Sequence, residues 1–319
     1  MTETPSLDVL PRTEATETIR NTLKETPKPI FALLDGGGFD DLPGMLSAEA
    51  IKGRSLFLDG AAEDYRRAGP WMVRVDDMLV QGYIERLEAT QPCAVYWSCK
   101  QGEEILHKHL RTINEVLIPL EEAQLDGNGS KTTTHYERVL FRHWDPNVLG
   151  AVLPLLTRPQ FSRFLGPATS ILFNAPDYGG IKRAKVPDNM PAAPPGPLRL
   201  EPDQMEKLKA AMLHSSRLRI ARFLKGNIPP HFSGVNDDFV WGATLASEKS
   251  ADELGIKTER GRARWAYVMM MSDGKAAEGA EVRNYIRDGG DTPDNRVKSL
   301  IQHIVNALRS GASVSGGAA

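Results

Sequence analysis

Two spacings of hydrophobic residues alternate over residues 30–175 of the chain. Short apolar runs, which predict strands, occupy residues 30–34, 55–58, 71–75, 93–99, 139–144 and 170–173. Between them, apolar residues recur every three or four positions, as in an amphipathic helix, over residues 78–89, 103–116 and 148–156. Because strands alternate with helices, we predict an α/β lobe over residues 30–175 with a mixed rather than a purely parallel sheet.

The residues outside this lobe follow other patterns. Residues 1–29 predict a weak N-terminal helix or extension, with Ile19 and Leu23 on one face. Residues 176–199 are rich in proline and glycine and predict an extended, exposed linker. Residues 200–309 keep the helical spacing and predict a second, all-helical lobe, whereas the small residues of 310–319 predict a disordered tail.

Several helix starts carry their own signals. Thr258 and Thr292 each precede a helical pattern and can accept a hydrogen bond from its first turn. Pro293 suits the first helical position, where its missing N–H removes no hydrogen bond. Pro146 ends the strand predicted over 139–144, because it has no N–H to donate to a neighbouring strand. A helix can begin behind it.

Charge and cysteine content narrow the function classes. The 319 residues include 39 lysines and arginines against 41 aspartates and glutamates, a net charge of -2 that favours neither nucleic acid nor a membrane surface. The first 28 residues are polar and no apolar run approaches membrane-spanning length, so we expect no signal peptide or anchor. Cys93 and Cys99 would lie about 20 Å apart on one strand, too far for a disulfide. These features favour a cytoplasmic location.

Candidate catalytic residues are few. The best set is His107, His109, His143 and Asp145, but residues two apart on a helix point to opposite sides, so the first pair cannot bind one metal ion. The glycine run after Asp35 lacks a phosphate-binding pattern. We therefore expect no enzyme, no metal and no cofactor. The alternative left open is a small-molecule or hydrolytic enzyme that uses the region of Asp35, His143 and Asp145.

Arg142 lies within the apolar run 139–144 and therefore needs a carboxylate partner. Asp35, at the end of the first strand, and the nearby Asp145 are the candidates. If the pair is buried, we expect loss of Arg142 to cost roughly 3–5 kcal/mol of stability. A second interpretation places Arg142 or Arg111 in a cleft, where it would contact a partner.

Two further groups have both a structural and a functional interpretation. Trp71 and Trp144 are typical core aromatic residues, although tryptophan is also a frequent anchor in protein interfaces. Four cations, Arg217, Arg219, Arg222 and Lys225, crowd the end of the first helix after the linker. They suit a solvated helix C-terminus, and the alternatives are a patch for an acidic partner or a nucleic-acid-associated regulator.

Six motifs in the first half of the chain occur in the order typical of one known family. They are Leu33-Leu34-Asp35-Gly36, Ser55-Leu56-Phe57, Gly69-Pro70-Trp71-Met72-Val73, His109-Leu110-Arg111, Phe141-Arg142-His143-Trp144-Asp145-Pro146 and Phe164-Leu165-Gly166-Pro167. Over residues 30 to 167 the chain therefore resembles the type VI secretion effector chaperones, also called adaptors. The combination of motifs is specific, although no single motif is.

The resemblance implies a non-catalytic function. Its members bind a secretion effector, here expected through the effector's N-terminal segment, and help to load it onto the spike, commonly a valine-glycine repeat (VgrG) protein. It implies no cofactor, metal, nucleic acid or membrane. The family residues that carry over are Asp35, Gly69, Pro70, Arg111, Arg142, Asp145 and Pro146. The chain departs from the family at His143-Trp144, in its Gly36-Gly37-Gly38 run and in an insertion over 125–134.

Overall fold

Four of the six apolar runs of the sequence, 30–34, 71–75, 93–99 and 170–173, become the central strands of a sheet. We describe a computed structural model, which covers residues 4–58, 60, 62–120, 134–228, 234–288 and 290–309. Its strands are β1 (Ile30–Asp35), β2 (Gly53–Ser55), β3 (Pro70–Arg74), β4 (Ala94–Ser98), β5 (Glu115–Pro119), β6 (Tyr136–Leu140), β7 (Ser170–Ala175), β8 (Gly180–Lys185) and β9 (Leu198–Arg199).

The helices divide into those that cover the sheet and those that follow it. The first group is α1 (Arg12–Lys24), α2 (Leu42–Ala48), α3 (Glu63–Arg67), α4 (Met78–Thr90), α5 (Glu103–Thr112), α6 (Pro146–Val152) and α7 (Arg158–Leu165). The second is α8 (Pro202–Gly226), α9 (Asp237–Glu253), α10 (Glu259–Met271), α11 (Ala280–Arg287) and α12 (Pro293–Arg309). None of the helices in the described part of the chain is long and apolar enough to cross a membrane.

Two sheets form the α/β part. The larger has the order β2-β3-β1-β4-β7-β8, and all its strand pairs are antiparallel. The smaller has the order β6-β5-β9, and β5 pairs with β9 in the parallel sense. The prediction of an α/β lobe with mixed strand directions, followed by a helical lobe, is thus confirmed.

Apolar side chains alternate across the large sheet and build a core on each face. Phe31 and Leu33 belong to the core that α5, α6 and α7 complete, whereas Ala32 and Leu34 belong to the core beneath α1 and α4. A strand buried on both faces is apolar at every position, which is why β1 has a continuous run rather than an alternating one.

Contacts divide the chain into residues 9–212 and a second unit made of residues 1–8 and 213–319. We call these the α/β unit and the helical unit. Within the helical unit, Leu7 is 2% exposed and packs with Leu218, Ala221 and Leu224 of α8. The predicted N-terminal extension is therefore not one piece, since α1 belongs to the α/β unit.

Four predictions of local structure need correction. The predicted strand 55–58 overlaps β2 only at Ser55, where that strand ends. The predicted linker 176–199 contains β8, which pairs along its length with β7, and β9, which pairs with β5. The predicted strand 139–144 ends at Leu140, because Phe141 to Asp145 leave the ladder and turn into α6. The predicted helix 103–116 ends at Thr112, and β5 follows it. Helices α3, α7 and α11 were not predicted. The tail 310–319 and residues 125–133 of the insertion lie outside the described residues.

Candidate functional site

Arg142 connects the end of β1 to the start of α6. Its Nη2 atom lies 2.6 Å from Oδ2 of Asp35, the last residue of β1. The same nitrogen lies 3.5 Å from Oδ2 of Asp145. The predicted pairing of Arg142 with these carboxylates is confirmed, but Arg142 lies in a turn and not in a buried strand.

The two carboxylates also hold backbone groups. Oδ1 of Asp35 accepts a hydrogen bond from the Gly37 N–H at 3.1 Å, and Oδ1 of Asp145 accepts one from the Asn147 N–H at 2.9 Å. Asp145 is thus the N-cap of α6, and Pro146 occupies its first position. Both aspartates of the motifs therefore have a structural function in addition to the ion pair.

Exposure differs sharply between the partners of this network. The side chain of Asp35 is 12% exposed, whereas that of Arg142 is 47% exposed. Burial raises the pKa of Asp35 above its ordinary value, although the guanidinium of Arg142 acts in the opposite direction. Nearly half of the Arg142 side chain is consequently open to solvent or to a partner.

Glycines allow the chain to approach itself closely beside this network. The N–H of Gly36 donates to the carbonyl of Gly69 at 3.1 Å. A Cβ atom at Gly36 would meet that carbonyl oxygen at 2.5 Å, and one at Gly69 would meet the Phe57 ring at 2.5 Å. Pro70 lies opposite Asp35 in the pairing of β1 with β3. Asp35, Gly36, Gly69 and Pro70 thus form one seam between β1 and β3.

The remaining aromatic motif residues differ in exposure. Trp144 is 2% exposed and packs edge-on against Phe57, with ring centroids 5.7 Å apart. Trp71 is only partly buried: its indole N–H donates to the Arg66 carbonyl at 3.1 Å, and its ring lines a surface pocket beside α2. Trp144 is therefore a core residue, and Trp71 retains an accessible face.

The histidines do not gather into a reactive site. His143 is fully buried, its Nε2 lies 3.0 Å from Oδ1 of Asn114, and burial lowers its pKa to about 3. Nε2 of His107 lies 3.0 Å from the Ser55 carbonyl oxygen, and Nε2 of His109 lies 2.9 Å from that of Phe164. Each ring nitrogen named here thus holds a structural hydrogen bond. The described residues contain no group of three or more side chains suited to a metal ion.

Arg111 is an exposed motif residue that carries a charge. It lies on the exposed side of α5, and its side chain forms no ion pair or hydrogen bond with any residue that the structure describes. The structure does not join it to the network of Arg142.

The cationic patch of α8 is paired within the helical unit. Arg217 lies 2.7 Å from Glu248, and Arg219 lies 2.6 Å from Glu259. Lys225 lies 2.8 Å from Asp237 and 3.0 Å from Asp8, and Nε of Arg222 donates to the Leu7 carbonyl at 3.4 Å. Carboxylates therefore compensate most of the positive charge that the sequence indicates here.

Two buried groups of the α/β unit escaped sequence reasoning. Glu88 of α4 is 5% exposed and accepts the backbone N–H groups of Cys93 and Ala94 at 2.7 and 2.5 Å. Gln204 of α8 is 4% exposed and pairs its amide with that of Gln160. No local pattern distinguishes either residue from an ordinary polar residue on a helix.

Residues 30–163 match the model of a protein family described as Domain of unknown function (DUF4123). The matched range runs from the start of β1 into α7 and contains Asp35, Gly69, Pro70, Arg111, Arg142, Asp145 and Pro146. No curated protein and no solved structure matches the chain.

Proposed function

We propose that this protein is a non-catalytic adaptor that binds a type VI secretion effector and helps to load it onto a VgrG-type spike protein. The observation that carries the proposal is the match of residues 30–163 to the DUF4123 family, over the range that contains the chaperone-like motifs. We propose that it acts in the cytoplasm, before the secretion machine fires.

The chemistry of the motif residues supports binding more than catalysis. The motif aspartates hold a turn and cap a helix, and His143 is buried and neutral at ordinary pH. Arg111 and the open side of Arg142 leave guanidinium donors free to contact a protein partner. The paired cations of α8 give little support to the nucleic-acid alternative.

Co-expression with the large protein encoded beside this one tests the proposal directly. We expect the two proteins to co-elute in size-exclusion chromatography, and the partner to be more soluble than when it is expressed alone. Addition of the purified spike protein should then give a ternary complex. Clean separation of the two proteins at micromolar concentration would contradict the proposal.

A pair of charge reversals on α5 tests the contribution of the motif. Arg111 and Lys108 are both exposed on this helix, but only Arg111 belongs to a motif. We expect Arg111→Glu to weaken the complex with the effector or the spike by about tenfold or more, and Lys108→Glu to leave it unchanged. Equal effects of the two substitutions would show that only net charge matters.

A further inference from the structure

An apolar groove opens beside the outermost strand of the large sheet. It has a volume of about 370 Å³ and lies between β7 and β8 on one side and α6 and α7 on the other. We call it the β8 groove. Its apolar lining comes from Leu149, Leu153, Leu156, Phe161, Phe173 and Ala184. Leu149 and Phe173 are almost fully buried and form its floor, whereas the other four are partly exposed.

The edge of β8 is available for strand addition. β8 is terminal in the sheet order, so none of the described strands pairs with its outer side. Lys182 lies opposite Phe173 and Ala184 opposite Ile171, so both side chains lie on the sheet face that lines the groove. An unpaired edge beside an apolar groove is suited to an extended peptide, because the edge supplies backbone hydrogen bonds and the groove accepts a side chain.

Charge around the groove indicates what such a peptide carries. Arg158 and Lys182 line it, and Lys182 lies on the face of β8 that borders the groove. Within the described part of the chain, the Arg158 side chain donates only to the backbone carbonyls of Asp188 and Asn189, and Lys182 forms no ion pair. Arg183 also borders the groove, but it lies opposite Leu172, so its side chain is on the other face of β8, 4.0 Å from Glu25. In contrast to the patch on α8, Arg158 and Lys182 have no carboxylate partner among the described residues, so an acidic segment would complement them.

We propose that the β8 groove captures an extended, acidic segment of the effector. The segment adds to the edge of β8, places one aliphatic or aromatic side chain against Ala184 and Phe161, and directs neighbouring carboxylates to Lys182 and Arg158. This assignment rests on the proposed adaptor function, and it specifies where the effector binds and which chemistry is recognised. The groove lies partly beyond residues 30–163, so the matched family range alone does not contain it.

A short labelled peptide tests the groove without the effector. It carries Asp, Leu and Asp at alternate positions with threonine between them, so that all three side chains lie on one face of an added strand. We expect it to bind the full-length protein in fluorescence anisotropy, and the same peptide with lysine in place of aspartate not to bind. If neither peptide binds, or if both bind equally, the assignment is wrong.

Matched substitutions on β8 locate the binding. Lys182 faces the groove, whereas Lys185 lies on the opposite face of the same strand. We expect Lys182→Glu to weaken binding of the acidic peptide by about tenfold or more, and Lys185→Glu to leave it within about twofold. Ala184→Arg, which fills the groove, should also abolish binding. Circular dichroism of each variant verifies that it is folded. Equal losses from the two lysine variants would overturn the assignment.

The same variants in the co-expression experiment separate this proposal from the proposed function. If the effector co-elutes equally with the wild-type protein and with Lys182→Glu, the adaptor function stands and the β8 groove is not the docking site. If the effector fails to co-elute but the peptide binds with the expected pattern, the adaptor function is wrong and the groove stands as an acidic-peptide site. A dimer that dissociates in Ala184→Arg would identify a second copy of this chain as the occupant and overturn the proposal.

Discussion

Glu88 is the residue whose environment differs most from that of an ordinary side chain of its type. Burial raises the pKa of Glu88 to about 7, although the hydrogen bonds that it accepts from two backbone N–H groups act in the opposite direction. The folded protein therefore binds a proton at Glu88 more tightly than the unfolded chain does. By linkage, its contribution to the free energy of unfolding is complete below about pH 4.5 and is lost as the pH rises through about 7.

The substitution Glu88→Gln isolates this contribution. Glutamine keeps an oxygen that can accept the N–H groups of Cys93 and Ala94, but it does not ionise. We expect the variant to be more stable than the wild type, by an amount that grows between pH 5 and pH 8. The difference is a few kcal/mol at most, on the order of 1.4 kcal/mol for each unit by which the pKa is raised. Urea denaturation at several pH values measures the difference.

Glu85 provides the control on the same helix. Burial acts to raise its pKa, but hydrogen bonds from Arg20 and Gln81 outweigh burial and lower it. Its contribution therefore has the opposite sign, since it is present above the ordinary glutamate pKa and lost in acid. Glu85→Gln should thus lose stability above pH 5. If the difference in free energy of unfolding between the wild type and Glu88→Gln does not change with pH, the raised pKa of Glu88 is wrong.

For Arg142, the observed exposure reduces the expected cost of substitution. The pair is not fully buried, since nearly half of the Arg142 side chain is exposed, but the carboxylate of Asp35 would remain buried without its cation. We therefore expect Arg142→Ala to lower the free energy of unfolding by roughly 1–3 kcal/mol, rather than the larger loss of a buried pair. Denaturant titration measures it.

Arg138→Ala is a matched control for this prediction. Arg138 lies on β6 and pairs with Glu115 at 3.1 Å, but both side chains are more than half exposed. Exposed pairs contribute about 0–1 kcal/mol, so this variant should remain close to the wild type. If Arg142→Ala and Arg138→Ala lower the free energy of unfolding equally, loss of the cation beside the buried Asp35 carboxylate costs no more than loss of an exposed pair.

The residue-level predictions succeeded where a charge conflicts with its neighbours in sequence. Arg142 stands between aromatic residues, so its need for Asp35 or Asp145 was predictable. Glu88 has polar neighbours on its helix, and its burial depends on how the chain returns at Cys93 and Ala94. The positive rim of the β8 groove likewise arises from α7 and β8, which are separated in sequence.

The seam between β1 and β3 depends on the close approach of Gly36 to the segment before β3. A Cβ atom at Gly36 would overlap the carbonyl oxygen of Gly69, and backbone there cannot move as a side-chain tip can. We expect Gly36→Ala to destabilise the protein by at least about 1–3 kcal/mol. Thermal or urea unfolding provides the measurement.

Gly82 offers the opposite case in the middle of α4. Nothing lies within 4 Å of a Cβ atom there. Alanine is roughly 0.5–1 kcal/mol more favourable than glycine inside a helix, so Gly82→Ala should stabilise the protein. If Gly36→Ala is tolerated as well as Gly82→Ala, the seam is not tightly packed.

Elements were predictable where periodicity and end signals agree. The strands β1, β4 and β7 and the helix α12 follow their predicted positions, and Thr258 caps α10 as expected. β8 was missed because its sequence, Gly-Ile-Lys-Arg-Ala-Lys, is that of a charged edge strand beside glycine and proline, and β9 has only two residues. Such strands are defined by the neighbour with which they pair, and this information is not local.

At the scale of the whole molecule, the boundary between the two units differs from the composition boundary. The sequence places the helical lobe from residue 200, but contacts assign residues 9–212 to the α/β unit. The first turns of α8 explain the difference. Gln204 donates to the Leu155 carbonyl at 2.6 Å, and Met205 and Leu208 pack against the core of the α/β unit. A proline-rich segment therefore marks a change of composition without marking the end of a unit.

Gln204 provides the test of this boundary. Its amide and that of Gln160 exchange two hydrogen bonds, at 2.8 and 2.9 Å, and its oxygen also accepts the Glu201 N–H. Gln204→Ala leaves the Leu155 carbonyl and the Glu201 N–H, both partly buried, without these bonds, whereas Gln160 keeps its hydrogen bonds to Thr157 and Arg199. We expect a cost of roughly 1–3 kcal/mol. We expect hydrogen exchange, measured by mass spectrometry on the full chain, to become faster in α6 and α7 and to remain unchanged in α9 and α10. Lys207→Ala, which removes only an exposed pair with Asp203, should change neither. Faster exchange confined to α9 and α10 would instead assign the start of α8 to the helical unit, as the composition of the sequence suggests.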